Sequence, residues 1–394
     1  MDFTFTPDDE RFRADLRSFL HARLPDRWPD RDFLGEVSRD ERDEVESTIR
    51  RALGERRWLA PGWAEHLGGI DASHLQQAIA LDETAYAAMP GALNAGVQSV
   101  GPAIEAFGSE AQRATVLPRI ASGEDTWCVL FSEPSAGTDL GAMQTRAVRD
   151  GDEYVINGTK VWASGADRAT NGWLAARTDP AASEKARRHG LSTFLVPMDT
   201  PGVSVRPIVD MNGDRDLSEV TFEDARIPTT SIVGAEGSGW AQITATLEAP
   251  RSGIEAYAEG RAHLERLVAA ARDDSSLVHR TTNARYEIAD RWIELEVGTQ
   301  LAYLVPHLQS QGVHPVRESQ ESRLYGAELT QRIANTGMHL LGLASQMTPG
   351  SPYARLGGAF ARLYTRASAA TIAGGPSEAR RTLIAQRGLG LPRL

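Results

Sequence analysis

The hydrophobic periodicity of this 394-residue chain changes twice, and no other feature restricts its fold as strongly. Up to about residue 125, apolar residues recur at helical spacing, starting with Phe12 after an N-cap signal at Thr6. Short strand patterns separated by Pro and Gly follow, and then long helical patterns return. Because no helices alternate with the strands, we predict an α+β protein with a helical domain over 1–125, a β domain over 126–235 and a four-helix-bundle domain over 236–394.

Within these zones, the individual elements can be placed approximately. In the first zone, helical patterns cover 39–56, 73–87, 92–107 and 110–121. In the third zone, they cover 238–271, 280–311, 317–345, 354–373 and 377–388. In the middle zone, strands are predicted over 192–196, 203–208 and 219–222. Asn157-Gly158, which stands between two apolar runs, predicts a tight hairpin turn.

The composition excludes several classes of protein. Acidic residues outnumber basic ones by 53 to 42, and the net charge of −11 argues against nucleic-acid binding. The single cysteine, Cys128, excludes a disulfide framework and a Cys-rich metal site, and the scattered histidines predict no metal. No apolar run approaches the roughly 18 residues of a membrane span, and the N-terminal stretch lacks a signal-peptide layout. We therefore expect a cytoplasmic protein without a membrane span.

Two segments of the middle zone carry the functional signal. Residues 132–139 read Ser-Glu-Pro-Ser-Ala-Gly-Thr-Asp, and residues 157–164 read Asn-Gly-Thr-Lys-Val-Trp-Ala-Ser. The first resembles the flavin-binding T/S-E-P-x-A-G-S/T-D loop of the acyl-CoA dehydrogenase family, and the second resembles its N-G-x-K-x-W-I-T/S segment. The helical–β–helical order and the Gly-rich loop at 234–239, which predicts a helix start, are also similar to that family. Walker, HExxH and GxSxG motifs are absent.

The resemblance implies an FAD-dependent oxidoreductase that acts on an acyl thioester. In that family, FAD needs an aromatic wall for its flat ring and a few hydrogen-bond donors at the ring edges. By position, the residues expected to bind the cofactor are Leu130, Phe131, Ser132, Gly137, Thr138, Trp162, Ala163, Ser164, Ser377 and Glu378. The residues expected to bind the substrate are Thr138, Arg251, Gly374 and Gly375.

The chain departs from the family at the general base that removes the α proton. The usual glutamate positions of the family are occupied here by Gly374 and Pro250, which have no carboxylate. Glu255, one helical turn beyond Arg251, is a weak candidate for the base, although exposed charges at this spacing are common on helices. The segment 271–280 also lacks the R-x-x-F-G sequence with which family members reach a neighbouring subunit's flavin.

Three hypotheses follow from this combination of a flavin loop with no obvious base. The first is an acyl-CoA dehydrogenase-like enzyme that performs α,β-desaturation or related flavin chemistry with a non-standard base. The second is a non-catalytic or half-site subunit of a heteromeric dehydrogenase, and the third is a flavin monooxygenase on the same fold. The expected partners are an acyl-CoA or acyl-carrier-protein thioester and either identical copies or a related chain. The electron acceptor stays open.

Overall fold

A computed structural model describes residues 4–92, 94–179, 188–249, 251–274, 276 and 283–392. The chain forms two compact units. The first contains Met1–Ile49, Asp71–Ala92 and Pro250–Leu394, and the second contains Arg50–Ile70 and Leu93–Ala249. The units therefore do not follow chain order, because the segment 1–125 contributes helices to both of them. The three-domain boundaries at 125 and 235 stay a prediction about chain order.

The first unit is helical. Its helices are α1 (Pro7–Arg23), α2 (Trp28–Leu34), the first part of α3 (Arg39–Glu55), α4 (His74–Tyr86), α8 (Ile254–Asp273), α9 (Ala284–Ser310), α10 (Val316–Leu341), α11 (Ala359–Ala370) and α12 (Ser377–Leu383). The start of α1 is the one that the sequence predicts: the Thr6 side chain accepts a hydrogen bond from the Asp9 backbone N–H, and the Asp9 carboxylate accepts from Thr6 in return. Side chains such as Trp28, Tyr257 and Phe360 are completely buried in its core.

One predicted helix, over 238–271, is divided in the structure. Helix α7 (Gly239–Glu248) covers only the first part of this range and belongs to the second unit. Helix α8 starts at Ile254 and belongs to the first unit. Gly253, the N-cap of α8, has a left-handed φ of 69°, and a Cβ there would stand 3.0 Å from Arg323 Cγ on α10. A continuous helix cannot contain a residue in the left-handed region, so the helix is interrupted at Gly253. The spacing of apolar residues gives no information about this backbone angle.

The second unit combines a mixed sheet with short helices. Its strands are β1 (Trp127–Leu130), β2 (Arg146–Asp150), β3 (Glu153–Ser164), β4 (Asn171–Arg177), β5 (Leu191–Pro197), β6 (Val203–Ile208), β7 (Leu217–Pro228) and β8 (Ile232–Val233). They pair in the order β6-β7-β3-β2-β4-β5-β8, and β1 lies parallel to β4. Helices α5 (Gly101–Phe107), α6 (Glu110–Ala121) and α7 complete the unit.

Both faces of this sheet are covered by apolar side chains. Along β4, Trp173 and Ala175 point into a core shared with α5 and α6, whereas Leu174 and Ala176 point into a second core with residues of β3 and β7. This alternation is the period of two that a strand imposes on its side chains. Strand β4 is buried on both faces, and most of its side chains are therefore apolar. A buried face also specifies the register in which a strand pairs with its neighbours.

The predicted hairpin at Asn157-Gly158 is wrong. Strand β3 runs without a turn from Glu153 to Ser164, and the hairpin lies earlier, between β2 and β3 at Gly151. Asn157 instead exchanges two hydrogen bonds with Asp224 of β7, at 3.0 and 2.9 Å. Gly158 lies so close to Thr145 that a Cβ would stand 2.7 Å from the Thr145 Cα. Asn-Gly therefore marks an irregularity inside a strand, for which the dipeptide is equally suited.

Two further structural findings concern functions that the sequence argues against. Within the described part of the chain, no helix combines the length and the apolar character that crossing a membrane requires. In the same residues, no three His, Cys, Asp or Glu side chains come together as metal ligands.

Candidate functional site

The loop that follows β1 is held rigidly by its own glutamate. Glu133 and Ala136 exchange two backbone hydrogen bonds of 3.0 Å, which form a tight turn. The Glu133 carboxylate accepts hydrogen bonds from the backbone N–H groups of Gln144 (2.6 Å) and Thr145 (2.9 Å). The loop is therefore fixed to the segment before β2, and it presents Ser132 at one end of the turn.

A buried ion pair connects this loop to β3. Lys160 is completely buried, and its Nζ donates to Glu133 Oε1 (2.7 Å) and to the carbonyl of Phe131 (3.0 Å). Burial lowers the pKa of Lys160 to about 8, although the Glu133 carboxylate opposes this change. Burial raises the pKa of Glu133, but Lys160 and the hydrogen bonds outweigh it, so the net shift is downward. The pair ties Ser132's loop to the strand that carries Trp162.

Trp162 stands out from β3 as an exposed aromatic surface. Its side chain is 58% exposed, and its φ of 62° lies in the left-handed region that large side chains avoid. The register between β3 and β7 shifts between Lys160 and Ala163, so Trp162 lies in a bulge. Ala163 is buried and Ser164 is exposed. Strain at a bulge that re-aims one aromatic side chain is typical of a binding position.

The other predicted cofactor residues of this unit differ in what they can offer. Leu130 is fully buried, and Phe131 packs edge-to-face on Trp173 with ring centroids 4.9 Å apart, so the side chains of both belong to the core. Gly137 and Thr138 lie on the exposed part of the loop, and nothing stands within 4 Å of a Cβ at Gly137. That open space gives the backbone room to approach a ligand closely.

In the first unit, the predicted substrate residues meet a group of arginines. The Gly374 carbonyl accepts hydrogen bonds from Arg323 (3.2 Å) and from Arg380 (3.2 Å), and Arg380 Nε also donates to the Gly375 carbonyl at 2.8 Å. Arg251 lies near enough to lower the pKa of Arg323, which burial, Arg380 and Arg251 together bring to about 10. The predicted base position at Gly374 is therefore surrounded by positive charge.

Three remaining predicted residues belong to the same unit. Glu255 is half-buried and its charge acts on Arg251, Arg323 and Arg380. Ser377 and Glu378 line a cavity of about 430 Å³ between α10 and α12, together with Glu328, Gln331, Arg332, Asn335, Thr371, Ile372 and Arg381. Pro250 lies outside the described residues, as does most of the segment 275–282.

Similarity to known proteins extends over nearly the whole length of the chain. Family models described as the acyl-CoA dehydrogenase N-terminal, middle and C-terminal domains match residues 6–124, 128–225 and 237–389. The Mycobacterium tuberculosis acyl-CoA dehydrogenase FadE26 is 32% identical over 100% of this chain and 99% of its own length. The chain belongs to the acyl-CoA dehydrogenase family. IpdE1 of the same organism, another acyl-CoA dehydrogenase, is 34% identical over 98% of both chains.

Solved structures of acyl-CoA dehydrogenases agree with this assignment. The Tcur3481-Tcur3483 steroid ACAD matches with a TM-score of 0.87 and 32% identity, and it covers 100% of both chains. The ChsE4-ChsE5 complex from Mycobacterium tuberculosis gives the same values. The predicted α+β fold with an N-terminal helical, a middle β and a C-terminal helical part is confirmed, and so is the predicted FAD-dependent oxidoreductase class.

The residues of this acyl-CoA dehydrogenase fit its flavin cofactor. Trp162 supplies an exposed flat wall, and Ser132 and Ser164 place hydroxyls on the two segments that the Lys160–Glu133 pair joins. The individual cofactor and substrate roles stay predictions. Sequence patterns do not single out Arg323 and Arg380. Of the 42 basic residues, only Lys160 and Lys185 are lysines, so arginines are common along the whole chain and a single arginine does not indicate a site.

Proposed function

We propose that the chain oxidises the acyl group of an acyl-CoA thioester by α,β-desaturation, with FAD against Trp162. The observation that carries this proposal is the strained and exposed Trp162 beside the buried Lys160–Glu133 pair, within the flavin motifs of the family. When bound, FAD would accept the hydride that leaves the β carbon, and a carboxylate of a second, related chain would accept the α proton. Ser132 and Ser164 hold the ring edges, and Thr138 of the same unit contacts the thioester.

The visible spectrum of the purified chain tests this proposal. We expect a flavin spectrum that bleaches when an acyl-CoA is added anaerobically, because hydride transfer reduces the flavin. Ser164→Leu should lower the flavin content, whereas the matched variant Ser204→Leu, at an exposed serine of β6, should not. A flavin-loaded protein that no acyl-CoA of any chain length bleaches, either alone or together with a related second chain, would contradict the proposal.

The acyl group and the source of the base are the finer parts of the proposal. Two similar structures are described as a steroid ACAD and as a complex of two named chains. We infer that this chain acts on a bulky, steroid-type acyl-CoA and works together with a second, related chain in the cytoplasm. The absence of a side chain at Gly374 supports the second chain, because no carboxylate stands at that base position.

Gly374→Glu tests whether the acyl α carbon lies near Gly374. Gly374 has a φ of 63°, and a Cβ there would stand 3.1 Å from Arg323 Nη2, so a glutamate is strained but meets a cation. We expect faster bleaching by acyl-CoA in this variant, and Gly374→Gln serves as the control that has the same size without the charge. Equal bleaching rates in the two variants would place the α carbon elsewhere.

A further inference from the structure

One peptide bond of the loop after β1 has a cation on one side and an unpartnered donor on the other. Lys160 Nζ donates to the Phe131 carbonyl at 3.0 Å, and the Ser132 carbonyl accepts from the Val161 N–H at 2.9 Å. Within the described residues, neither the N–H nor the hydroxyl of Ser132 has a hydrogen-bond partner. Since the C=O and N–H of a trans peptide point in opposite directions, this N–H faces away from the ammonium.

The Lys160 ammonium is directed entirely at this loop and the segment fixed to it. Its side chain is completely buried, and its Nζ contacts the Phe131 carbonyl, Glu133 Oε1 at 2.7 Å and Met143 Sδ at 3.8 Å. These three acceptors match the three N–H bonds of an ammonium. Because water is excluded there, the field of the charge is screened far less than at the surface. The charge therefore acts on the Phe131–Ser132 peptide at short range.

The residue type at position 160 supports a role for the charge. Of the 42 basic residues of the chain, only Lys160 and Lys185 are lysines. A guanidinium spreads its charge over a planar group, whereas an ammonium is a compact point charge that fits at one buried carbonyl. A neutral donor would also tie the loop to β3, and it would avoid the cost of a buried charge. The charge is therefore best explained by an effect on the peptide that it contacts.

We propose that Lys160 is a positioning residue that polarises the Phe131–Ser132 peptide and so strengthens the hydrogen bond from the Ser132 N–H to the reduced flavin. The inference rests on the proposed function, in which Ser132 lies at the ring edge. A hydride from the acyl β carbon carries two electrons and one proton into the ring, which then has one negative charge. A donor that is already oriented and polarised stabilises this charge, because hydrogen bonds in a chain strengthen one another. Lys160 thus raises the reduction potential of the flavin.

The reduction potential of the bound flavin tests this role without any thioester. It would be measured by dye-coupled reduction of the flavin-loaded full chain, alone or in complex with the second chain. Lys160→Met/Glu133→Gln removes both charges and retains an acceptor for the loop N–H groups. We expect its preference for reduced flavin to be weaker by at least about threefold, which lowers the potential by about 14 mV for a two-electron couple. The control Arg226→Gln, which breaks an exposed ion pair of β7, should keep the potential.

A pH titration separates the charge of Lys160 from its position. In the described part of the chain, Glu133 is the titratable group whose charge acts on Lys160, and burial lowers the pKa of the lysine to about 8 against the effect of that carboxylate. Above this pH, the uncharged amine can still donate to the Phe131 carbonyl, but only the Glu133 carboxylate stays charged. We therefore expect the difference in potential between the unaltered protein and the double variant to narrow or reverse between about pH 7 and 9.

The unaltered protein alone keeps the test decisive if the double variant loses its flavin. Above about pH 8, its potential should fall more steeply with pH, because reduction of the ring raises the affinity of Lys160 for its proton. Three results would overturn the inference: equal potentials in the two proteins at about pH 7, a difference that stays constant up to about pH 9, or an unchanged slope in the unaltered protein.

The failure of desaturation and the failure of this inference are distinguishable. A protein that shows the expected potentials but is bleached by no acyl-CoA would contradict only the proposed desaturation. A chain that binds no FAD, alone or with the second chain, would contradict both, and the visible spectrum identifies that case before any potential is measured.

Discussion

Lys160 ties the loop that carries Ser132 to the strand that carries Trp162. Its charge is fully buried and is met by one carboxylate, that of Glu133, together with the Phe131 carbonyl. A buried pair of this kind adds little net stability over an apolar pair, but removal of one partner leaves an uncompensated charge. The arrangement therefore fixes the geometry of the predicted flavin loop more than it stabilises the fold.

Removal of Lys160 alone should be severe. We expect Lys160→Met to lower the free energy of unfolding by about 3–5 kcal/mol in urea titrations, since Glu133 stays buried without its cation. Lys160→Met combined with Glu133→Gln should regain most of this loss, because the glutamine is neutral and its carbonyl oxygen can still accept from the backbone N–H groups of Gln144 and Thr145. Arg226→Gln, which breaks an exposed pair with Asp150, should cost less than about 1 kcal/mol. A double variant as unstable as the single one would show that the pair itself is strongly stabilising.

The same pair gives stability a pH dependence on the acid side. The pKa of Glu133 is lower in the folded protein than the value of about 4.3 for a free side chain, so the unfolded chain binds its proton first. The stability that Glu133 contributes is present above that pH and is lost as the pH falls further. Between about pH 5 and 3, we expect the unaltered protein to lose more stability than the Lys160→Met/Glu133→Gln variant. Parallel pH curves would contradict this.

Trp162 is expected to bind the flavin at a cost in the stability of the fold. A left-handed φ costs a large side chain about 1–3 kcal/mol when the surroundings enforce it, and glycine avoids that cost. Trp162→Gly should therefore unfold at the same or a higher urea concentration while its flavin content falls. Trp162→Ala keeps the strain and serves as the control. Retained flavin in both variants would remove Trp162 from the cofactor site.

At the scale of elements, β3 is the strand on which the candidate site depends. It pairs with β2 on one side and β7 on the other, and its register with β7 shifts twice, between Ile156 and Gly158 and between Lys160 and Ala163. The first lets the strand pass close to Thr145, and the second turns an aromatic side chain outward. A regular strand of the same length would place neither group in this way, because its side chains alternate strictly.

Substitution of two glycines in this region should change the stability by very different amounts. Gly158→Ala places a methyl group 2.7 Å from the Thr145 Cα, which the backbone can relieve only by moving β3, so we expect a loss of about 2 kcal/mol. Gly151→Asn, in the turn between β2 and β3, meets nothing within 4 Å, and asparagine tolerates its left-handed φ of 63°. Its urea midpoint should barely change. A larger loss of stability in Gly151→Asn than in Gly158→Ala would instead support the hairpin predicted at Asn157-Gly158.

At the scale of the whole molecule, the predicted base position at Gly374 has no carboxylate and two arginines donate to its carbonyl, although the net charge of the chain is −11. The excess of acidic residues is therefore not local to this turn, where two guanidinium groups meet. The proposed second chain would supply the proton acceptor that Gly374 lacks.

We expect the second chain to change both composition and activity. Co-expression with a related acyl-CoA dehydrogenase chain from the same genome should yield a heteromer by size-exclusion chromatography and mass measurement. Its rate of bleaching by acyl-CoA should exceed that of this chain alone by at least about 100-fold, the usual contribution of a positioned general base. A homo-oligomer that turns over equally fast alone would contradict the requirement for a partner.

The sequence by itself determined the fold class and the family, and it predicts the loop that holds the flavin. These properties depend on local patterns, namely helical or strand periodicity and contiguous motifs such as residues 132–139, which survive without knowledge of contacts. Only the tertiary structure decided that Asn157-Gly158 lies inside a strand and that helix 238–271 is divided. It also brought together Arg323 and Arg380, which are separated by more than 50 residues, on the carbonyl of Gly374. Such contacts follow from packing between distant segments, and periodicity carries no information about them.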